Sequence, residues 1–378
     1  MCLYASFEGH LENFRENKVD HILFHVMFQE GAKMPLICLS RNRLQCIFVI
    51  LLCSCGLLLY MNAVPCIIPT CNDPSNTDTA SLSNEPLIFI GGYPRSGGTT
   101  LMRVLLDVHP SVRCGPETHI LPHILYLYSF KIDHIFGQLH SANITHELVD
   151  SIFVHAISTL IHKTGPNAER LCAKDPFIDL CLKQLLHLFP KSLFILMVRD
   201  GRAVTNSVLR LRRHIGIKYL DRSKPENVLQ AWDDHYKHVL PACQNSSRCR
   251  IVRYEDLVLR PREQMKGILI SEWLGVPWDE VVLQHDQNMQ EVKLPRRKER
   301  STSQVVFPIY TEALTQWSLP GSAVPPSLIQ KSRSYEMLRY FGYASLTIPP
   351  VYGIPELEVQ KRAQMLEKNE EFRKLFKL

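Results

Sequence analysis

The segment Leu87-Ile88-Phe89-Ile90-Gly91-Gly92-Tyr93-Pro94-Arg95-Ser96-Gly97-Gly98-Thr99-Thr100-Leu101-Met102-Arg103 constrains this chain more than any other. An apolar run short enough for one buried strand passes into glycines and then into the start of a helix. That order leaves backbone N–H groups and the positive end of a helix dipole aimed at one spot, so an anionic oxygen belongs there. The spacing from Gly92 to Gly97 approaches a Walker loop, but Gly98 precedes the paired threonines where such a loop needs lysine, and Arg95 lies upstream. ATP with magnesium is thereby disfavoured. The plain alternative is a strand-to-helix turn whose glycines only relieve crowding.

Three more short apolar runs end in polar switches. They are Arg170-Leu171-Cys172-Ala173-Lys174-Asp175-Pro176, Ser192-Leu193-Phe194-Ile195-Leu196-Met197-Val198-Arg199-Asp200 and Arg250-Ile251-Val252-Arg253-Tyr254-Glu255. Between them apolar residues recur at helical spacing, as in Val149, Ile152, Phe153, Ala156, Ile157 and Leu160. Strands alternating with helices predict an α/β fold, a parallel sheet flanked by helices with ligands at the carboxyl ends of the strands.

With 378 residues and 46% hydrophobic content the chain can bury a sizeable core. Its formal net charge of +6 is not gathered into long basic runs, which points to an anionic small molecule or acidic surface and not to a nucleic-acid groove. The 16 histidines contain no HExxH, and His119 with His123 find no third ligand beyond Glu117, so no metal is expected.

Leu44 to Val64 carries no charge and is long enough to cross about 30 Å of hydrocarbon as a helix. Lys33, Arg41 and Arg43 precede it, and no Lys or Arg follows until Arg95. The positive-inside bias therefore places residues 1–43 in the cytosol, makes 44–64 a signal-anchor and puts the remainder in a lumen. A cleaved signal peptide is the competing reading, disfavoured by the length and position of the run. Residues 65–85 read as a polar, flexible stem, 86–355 as the catalytic domain and 356–378 as a charged tail forming an exposed helix. Sequons at Asn143 and Asn245 fit lumenal glycosylation.

Pro94-Arg95-Ser96-Gly97 followed by paired threonines resembles the 5′-phosphosulfate loop of sulfotransferases, which use 3′-phosphoadenosine 5′-phosphosulfate (PAPS). Five further blocks follow in order: Val112-Arg113-Cys114-Gly115-Pro116-Glu117-Thr118, Lys174-Asp175-Pro176-Phe177, Leu196-Met197-Val198-Arg199-Asp200-Gly201-Arg202-Ala203, Tyr254-Glu255-Asp256-Leu257-Val258-Leu259-Arg260-Pro261 and Glu299-Arg300-Ser301-Thr302-Ser303-Gln304-Val305-Val306. On these, residues 86–353 resemble a tyrosylprotein sulfotransferase. That family implies a single-pass Golgi enzyme, with its catalytic domain lumenal, that sulfates tyrosines in acidic stretches of secreted and membrane proteins. It also implies a homodimer.

The chemistry asks for the same groups. A tyrosine phenol, with a pKa near 10, needs a carboxylate to take its proton, and the leaving nucleotide phosphate needs fixed cations and N–H donors. The resemblance assigns Glu117 as the base and Arg95, Lys174 and Ser301 to the leaving group. Ser96, Gly97, Gly98, Thr99 and Thr100 would hold the 5′ side of PAPS, and Arg199 and Ser207 its 3′-phosphate. Tyr254 and the stretch from Ser301 to Tyr310 resemble the remaining nucleotide contacts. The plainer readings are a surface ion pair between Lys174 and Asp175 and core packing for Tyr254. Among the 12 cysteines, the resemblance pairs Cys114 with Cys172 and Cys243 with Cys249. Cys181 reads as a buried apolar residue, and Cys66 or Cys71 could join two chains.

The chain departs from the family pattern at several points. Gly98 is an extra residue in the loop, Pro116 replaces a second glutamate, and His119 and His123 stand where arginines receive acidic peptide. Leu211 and Gln316 replace cationic nucleotide contacts. These changes keep two alternatives open, a catalytically weak or inactive member and a carbohydrate sulfotransferase.

Overall fold

The computed structural model describes residues 79–97, 101–210, 222–269, 273–288, 307–370 and 372–373. Five strands, β1 (Ile88–Gly91), β2 (Val112–Cys114), β3 (Arg170–Lys174), β4 (Leu193–Val198) and β5 (Cys249–Arg253), form one sheet in the order β2-β3-β1-β4-β5. Every neighbouring pair is parallel, as the alternation of strands and helices requires. The chain builds β2 and β3 on one side of β1 and then β4 and β5 on the other. The order therefore reverses at β1, the point of such a sheet beyond whose strand carboxyl ends ligands bind. Register keeps those ends level, with Ile90 opposite Lys174, Gly91 opposite Leu196 and Val198 opposite Arg253.

Alternate residues of each strand face opposite ways, so the sheet has two cores. On one face Leu87, Phe89, Leu196 and Val198 pack with Phe153, Ile157, Leu185, Trp232 and Tyr236 from helices His146–Lys163, Leu182–Leu188 and Pro225–Gln244. On the other, Ile88, Ile90, Ile195 and Met197 meet Leu105, Leu106, Leu257 and Val258. The helix His146–Lys163 starts where Thr145 caps it, its Oγ1 accepting from the Leu148 N–H at 3.3 Å.

Several expectations need correction. β2 is a strand that the sequence pattern did not show, because three residues give no periodicity. In the helix His146–Lys163 the buried stripe is Val149, Phe153, Val154, Ile157 and Ile161, while Ile152 and Ala156 face outward. The end of the expected stem belongs to the folded body. Thr79–Ser83 is a helical turn, Ser83 Oγ donates to the Leu188 carbonyl at 2.8 Å, and the Glu85 carboxylate meets His162 Nε2 at 3.0 Å. The tail forms the expected, largely exposed helix, but it is anchored at buried positions. Its helix Leu357–Leu366 buries Val359 and Leu366, Phe372 beyond it is fully buried, and Arg362 Nη1 donates to the Leu283 carbonyl at 2.6 Å.

Residues 1–43, the apolar run 44–64 with Cys66 and Cys71, and the stem up to residue 78 lie outside the described residues. Among the described residues no single helix is long and apolar enough to cross a membrane. Both expected disulfides form. Cys114–Cys172 ties β2 to β3 at directly paired positions, and Cys243–Cys249 closes the short loop between the helix Pro225–Gln244 and β5. Cys181 is a buried free thiol whose pKa burial pushes up to about 11. Asn143 and Asn245 are both exposed, the latter inside the Cys243–Cys249 loop.

Candidate active site

Each strand delivers candidate residues at or just past its carboxyl end. β1 leads into Arg95, Ser96 and Gly97, β2 into Glu117, β3 ends on Lys174, β4 is followed by Arg199 and β5 by Tyr254. Separate blocks of sequence thus meet along one rim of the sheet.

The loop after β1 is held from below. Gly92, at φ 144°, lies so close to the Met197 carbonyl that a Cβ would stand 2.5 Å from that oxygen. The same carbonyl accepts the Tyr236 hydroxyl at 2.6 Å. That hydroxyl in turn accepts the Tyr93 N–H at 3.2 Å and lies 3.1 Å from Ser96 Oγ. Tyr236 is wholly buried and burial drives its pKa upward, so it stays a neutral donor. Sequence reasoning missed it; its only signal was a hydroxyl-bearing ring on the apolar face of a helix, beside Trp232 and Val239.

Further along, Arg95 adopts φ 71° and its Nε donates to Ser207 Oγ at 3.0 Å, which brings together two residues far apart in sequence. Gly97 has φ 77°, and a Cβ on it would sit 2.2 Å from the Tyr254 ring. Only glycine fits there. The Arg199 guanidinium lies 4.5 Å over that ring and donates to the Arg95 carbonyl at 3.2 Å and the Ala313 carbonyl at 2.7 Å. Among the described residues its Nε is buried without a hydrogen-bond partner. Burial raises the Tyr254 pKa, with Arg199 and Arg95 pulling it back. A cradle that admits only glycine, edged by a buried guanidinium with a spare donor, fits an anionic ligand.

On the other side of the rim, Asp107 and Arg103 fix the end of β2. Asp107 Oδ1 accepts the Cys114 N–H at 2.6 Å and Arg103 Nε donates to the Cys114 carbonyl at 3.0 Å. Glu117 follows after Gly115 and Pro116. Lys174 is only 2% exposed and forms an ion pair with Glu117 Oε1. The surface pair with Asp175 is therefore not what forms, since Asp175 is buried as well. The Asp175 carboxylate instead accepts Thr118 Oγ1 at 2.6 Å and the His119 N–H at 2.9 Å. Burial pushes its pKa up, opposed by those two bonds and by the Lys174 charge.

The structure parts the two histidines. His119, at φ 55°, turns its imidazole to Glu117, with Nε2 3.6 Å from Oε2 and the side chain 58% exposed. His123 is exposed on the helix Leu121–Tyr126. Ligand atoms of Glu117, His119 and Asp175 lie within 4.8 Å of one another, Asp175 being a second carboxylate that sequence spacing did not bring to His119. The two oxygens of Asp175 are already engaged by Thr118 and the His119 N–H. Gly98, Thr99, Thr100, Leu211 and Ser301 fall outside the described residues.

A model of the sulfotransferase family matches residues 86–280. A protein-tyrosine sulfotransferase of Drosophila melanogaster is 39% identical over 292 residues, 75% of this chain and 57% of that protein. Protein-tyrosine sulfotransferase A of Caenorhabditis elegans is 38% identical, covering 75% of this chain and 74% of its own length. The chain belongs to the protein-tyrosine sulfotransferase family. Its human relative, protein-tyrosine sulfotransferase 1, is 36% identical over 78% of this chain and 80% of its own. Among solved structures, the sulfotransferase domain of a Synechococcus PCC 7002 olefin synthase covers 75% of this chain and 95% of its own, at 21% identity and a TM-score of 0.37. As a sulfotransferase the chain draws on the PAPS chemistry of its family, and the matched region contains the loop, Glu117, Lys174, Arg199 and Tyr254.

Proposed function

We propose that this chain transfers a sulfuryl group from PAPS to the hydroxyl of tyrosine in acidic stretches of secreted and membrane proteins. The observation that carries the reading is the Lys174–Glu117 pair, a buried cation and a carboxylate joined across two disulfide-linked strands beside the anion-binding loop. PAPS supplies an activated sulfuryl on a phosphate leaving group. Glu117 takes the phenol proton as the new oxygen–sulfur bond forms. Lys174 and Arg95 stand where charge grows on the departing phosphate oxygen, so preorganised cations lower the barrier. Arg199 and Ser207 receive the 3′-phosphate, and the backbone at Ser96 and Gly97 the 5′ side.

The resting ion pair gives Lys174 two alternative partners. A donor phosphate competes with Glu117 for its ammonium, and loss of that cation leaves the carboxylate a stronger base when the donor is in place. His123, exposed near the site, is assigned to acidic residues flanking the target tyrosine.

Two disulfides and two exposed sequons support an oxidising, glycosylating compartment, and the apolar run 44–64 supports a single-pass anchor in the Golgi membrane with the catalytic domain lumenal. A homodimer is part of the same reading. Glu117→Ala tests the assignment. Transfer should vanish while 3′-phosphoadenosine 5′-phosphate still binds by calorimetry; full turnover in the variant contradicts it.

A further inference from the structure

We infer that Leu366 and Phe372, in the C-terminal tail, are positioning residues for the donor side of the site, acting through Tyr310 and Ala313. The inference rests on reading Arg199 and Tyr254 as donor contacts. The tail carries many charges of both signs, and nothing in its composition calls for it beside an anion site. Its apolar side chains nevertheless close over one segment of the rim. Phe372 is fully buried, edge-on to Phe307 at 5.4 Å and to Tyr310 at 5.3 Å, and Leu366 completes the cluster.

The segment they cover reaches the site directly. Tyr310 is buried, and its phenol pKa is pushed up by burial and by Tyr254 and drawn back by Arg199 and Arg95, the same three side chains that frame the loop. Three residues on, the Ala313 carbonyl accepts Arg199 Nη2 at 2.7 Å, the shorter of the guanidinium's two carbonyl bonds. Residues 307–311 belong to no helix or strand, so side-chain packing holds them. Ile309 points into the sheet core and His285 Nε2 lies 3.1 Å from the Phe307 carbonyl, while Tyr310 turns the other way, to the tail. Glu367, at the end of the tail helix, adds to burial in raising the Glu312 carboxyl, which places the tail against the start of the helix Glu312–Thr315 as well. Loosening this cover lets Ala313 and Tyr310 move, and Arg199 loses its alignment.

Phe372→Ser in the full chain removes the packing, and Phe372→Leu keeps its apolar volume. Binding of 3′-phosphoadenosine 5′-phosphate by calorimetry, KM for PAPS and for peptide, and the melting midpoint are measured for both. The serine variant should weaken nucleotide binding and raise KM for PAPS about tenfold, the size of one misaligned charge-assisted hydrogen bond, with peptide KM unchanged. The leucine variant should restore both. Where Phe372→Ser does not fold, Leu366→Ala makes a smaller cut at the same contact. A lower melting midpoint with parental nucleotide affinity overturns the inference and leaves the donor site intact; a parent that binds no nucleotide overturns the donor-site reading itself.

Discussion

The two halves of the rim are built to different standards. On the donor half, Ser96, Arg199 and Tyr254 are buried and cross-tied, and one hydroxyl, that of Tyr236, serves three partners beneath the loop. On the acceptor half, Glu117 is half-buried against Lys174, His119 is exposed and holds a left-handed backbone, and the turn at Thr118 and His119 is held by the buried carboxylate of Asp175. Under the proposed function, the difference matches what each half would receive. A small, highly charged nucleotide rewards donors fixed before it arrives, whereas a protein segment needs an approach that stays open.

Breaking the donor half should cost most. Arg199→Ala deletes the charged donor at the cradle and the ties to Arg95 and Ala313, and nucleotide affinity should fall roughly hundredfold, as expected for losing a charge-assisted hydrogen bond of about 1.5–3 kcal/mol. Calorimetry with 3′-phosphoadenosine 5′-phosphate reads this directly, and a loss under threefold would show that the cradle holds the ligand without Arg199.

Tyr236→Phe is the next largest. It strands the Tyr93 N–H and the Met197 carbonyl in the core, at a cost of about 1–3 kcal/mol. The melting midpoint should drop by a few degrees and KM for PAPS should rise, with peptide KM steady. Unchanged stability would mean the loop is supported elsewhere.

The acceptor half should respond more gently and separate its two histidines. Facing the His119 imidazole are Glu117 and Asp175, with Lys174 behind them. The imidazole Nε2 lies 3.6 Å from Glu117 Oε2, so removing it changes the surroundings of the base. His119→Gln should therefore change kcat without altering peptide KM. His123→Arg should lower KM for acidic peptides by only a few-fold, since exposed ion pairs contribute about 0.2–1 kcal/mol, and leave kcat alone. The reverse pattern would exchange the roles of the two residues.

Much of the donor half was legible because its chemistry and its local structure coincide. A strand that runs into a glycine loop, one that ends in Lys174 and one followed by Arg199 announce where the chain turns and which charged groups gather there. What escaped was set by tertiary packing. β2 is three residues long and is defined by its pairing with β3, not by any pattern of its own. Tyr236 looks like any core aromatic until the loop is laid over it. The tail alternates charged and apolar residues without announcing which of them pack, and Leu366 and Phe372 have no meaning until the 307–313 segment gives them a surface. His119 was read with His123 as one peptide-binding pair, and the turn at φ 55° is what separates them.

The most direct test of the account is transfer itself. Purified full-length chain is given PAPS labelled in its sulfuryl group with an acidic peptide carrying one tyrosine, its phenylalanine counterpart and a sugar acceptor. The account predicts label on the tyrosine peptide alone, as an acid-labile ester, and none with the other two. Label on the sugar, or bound nucleotide with no transfer to any acceptor, would contradict it.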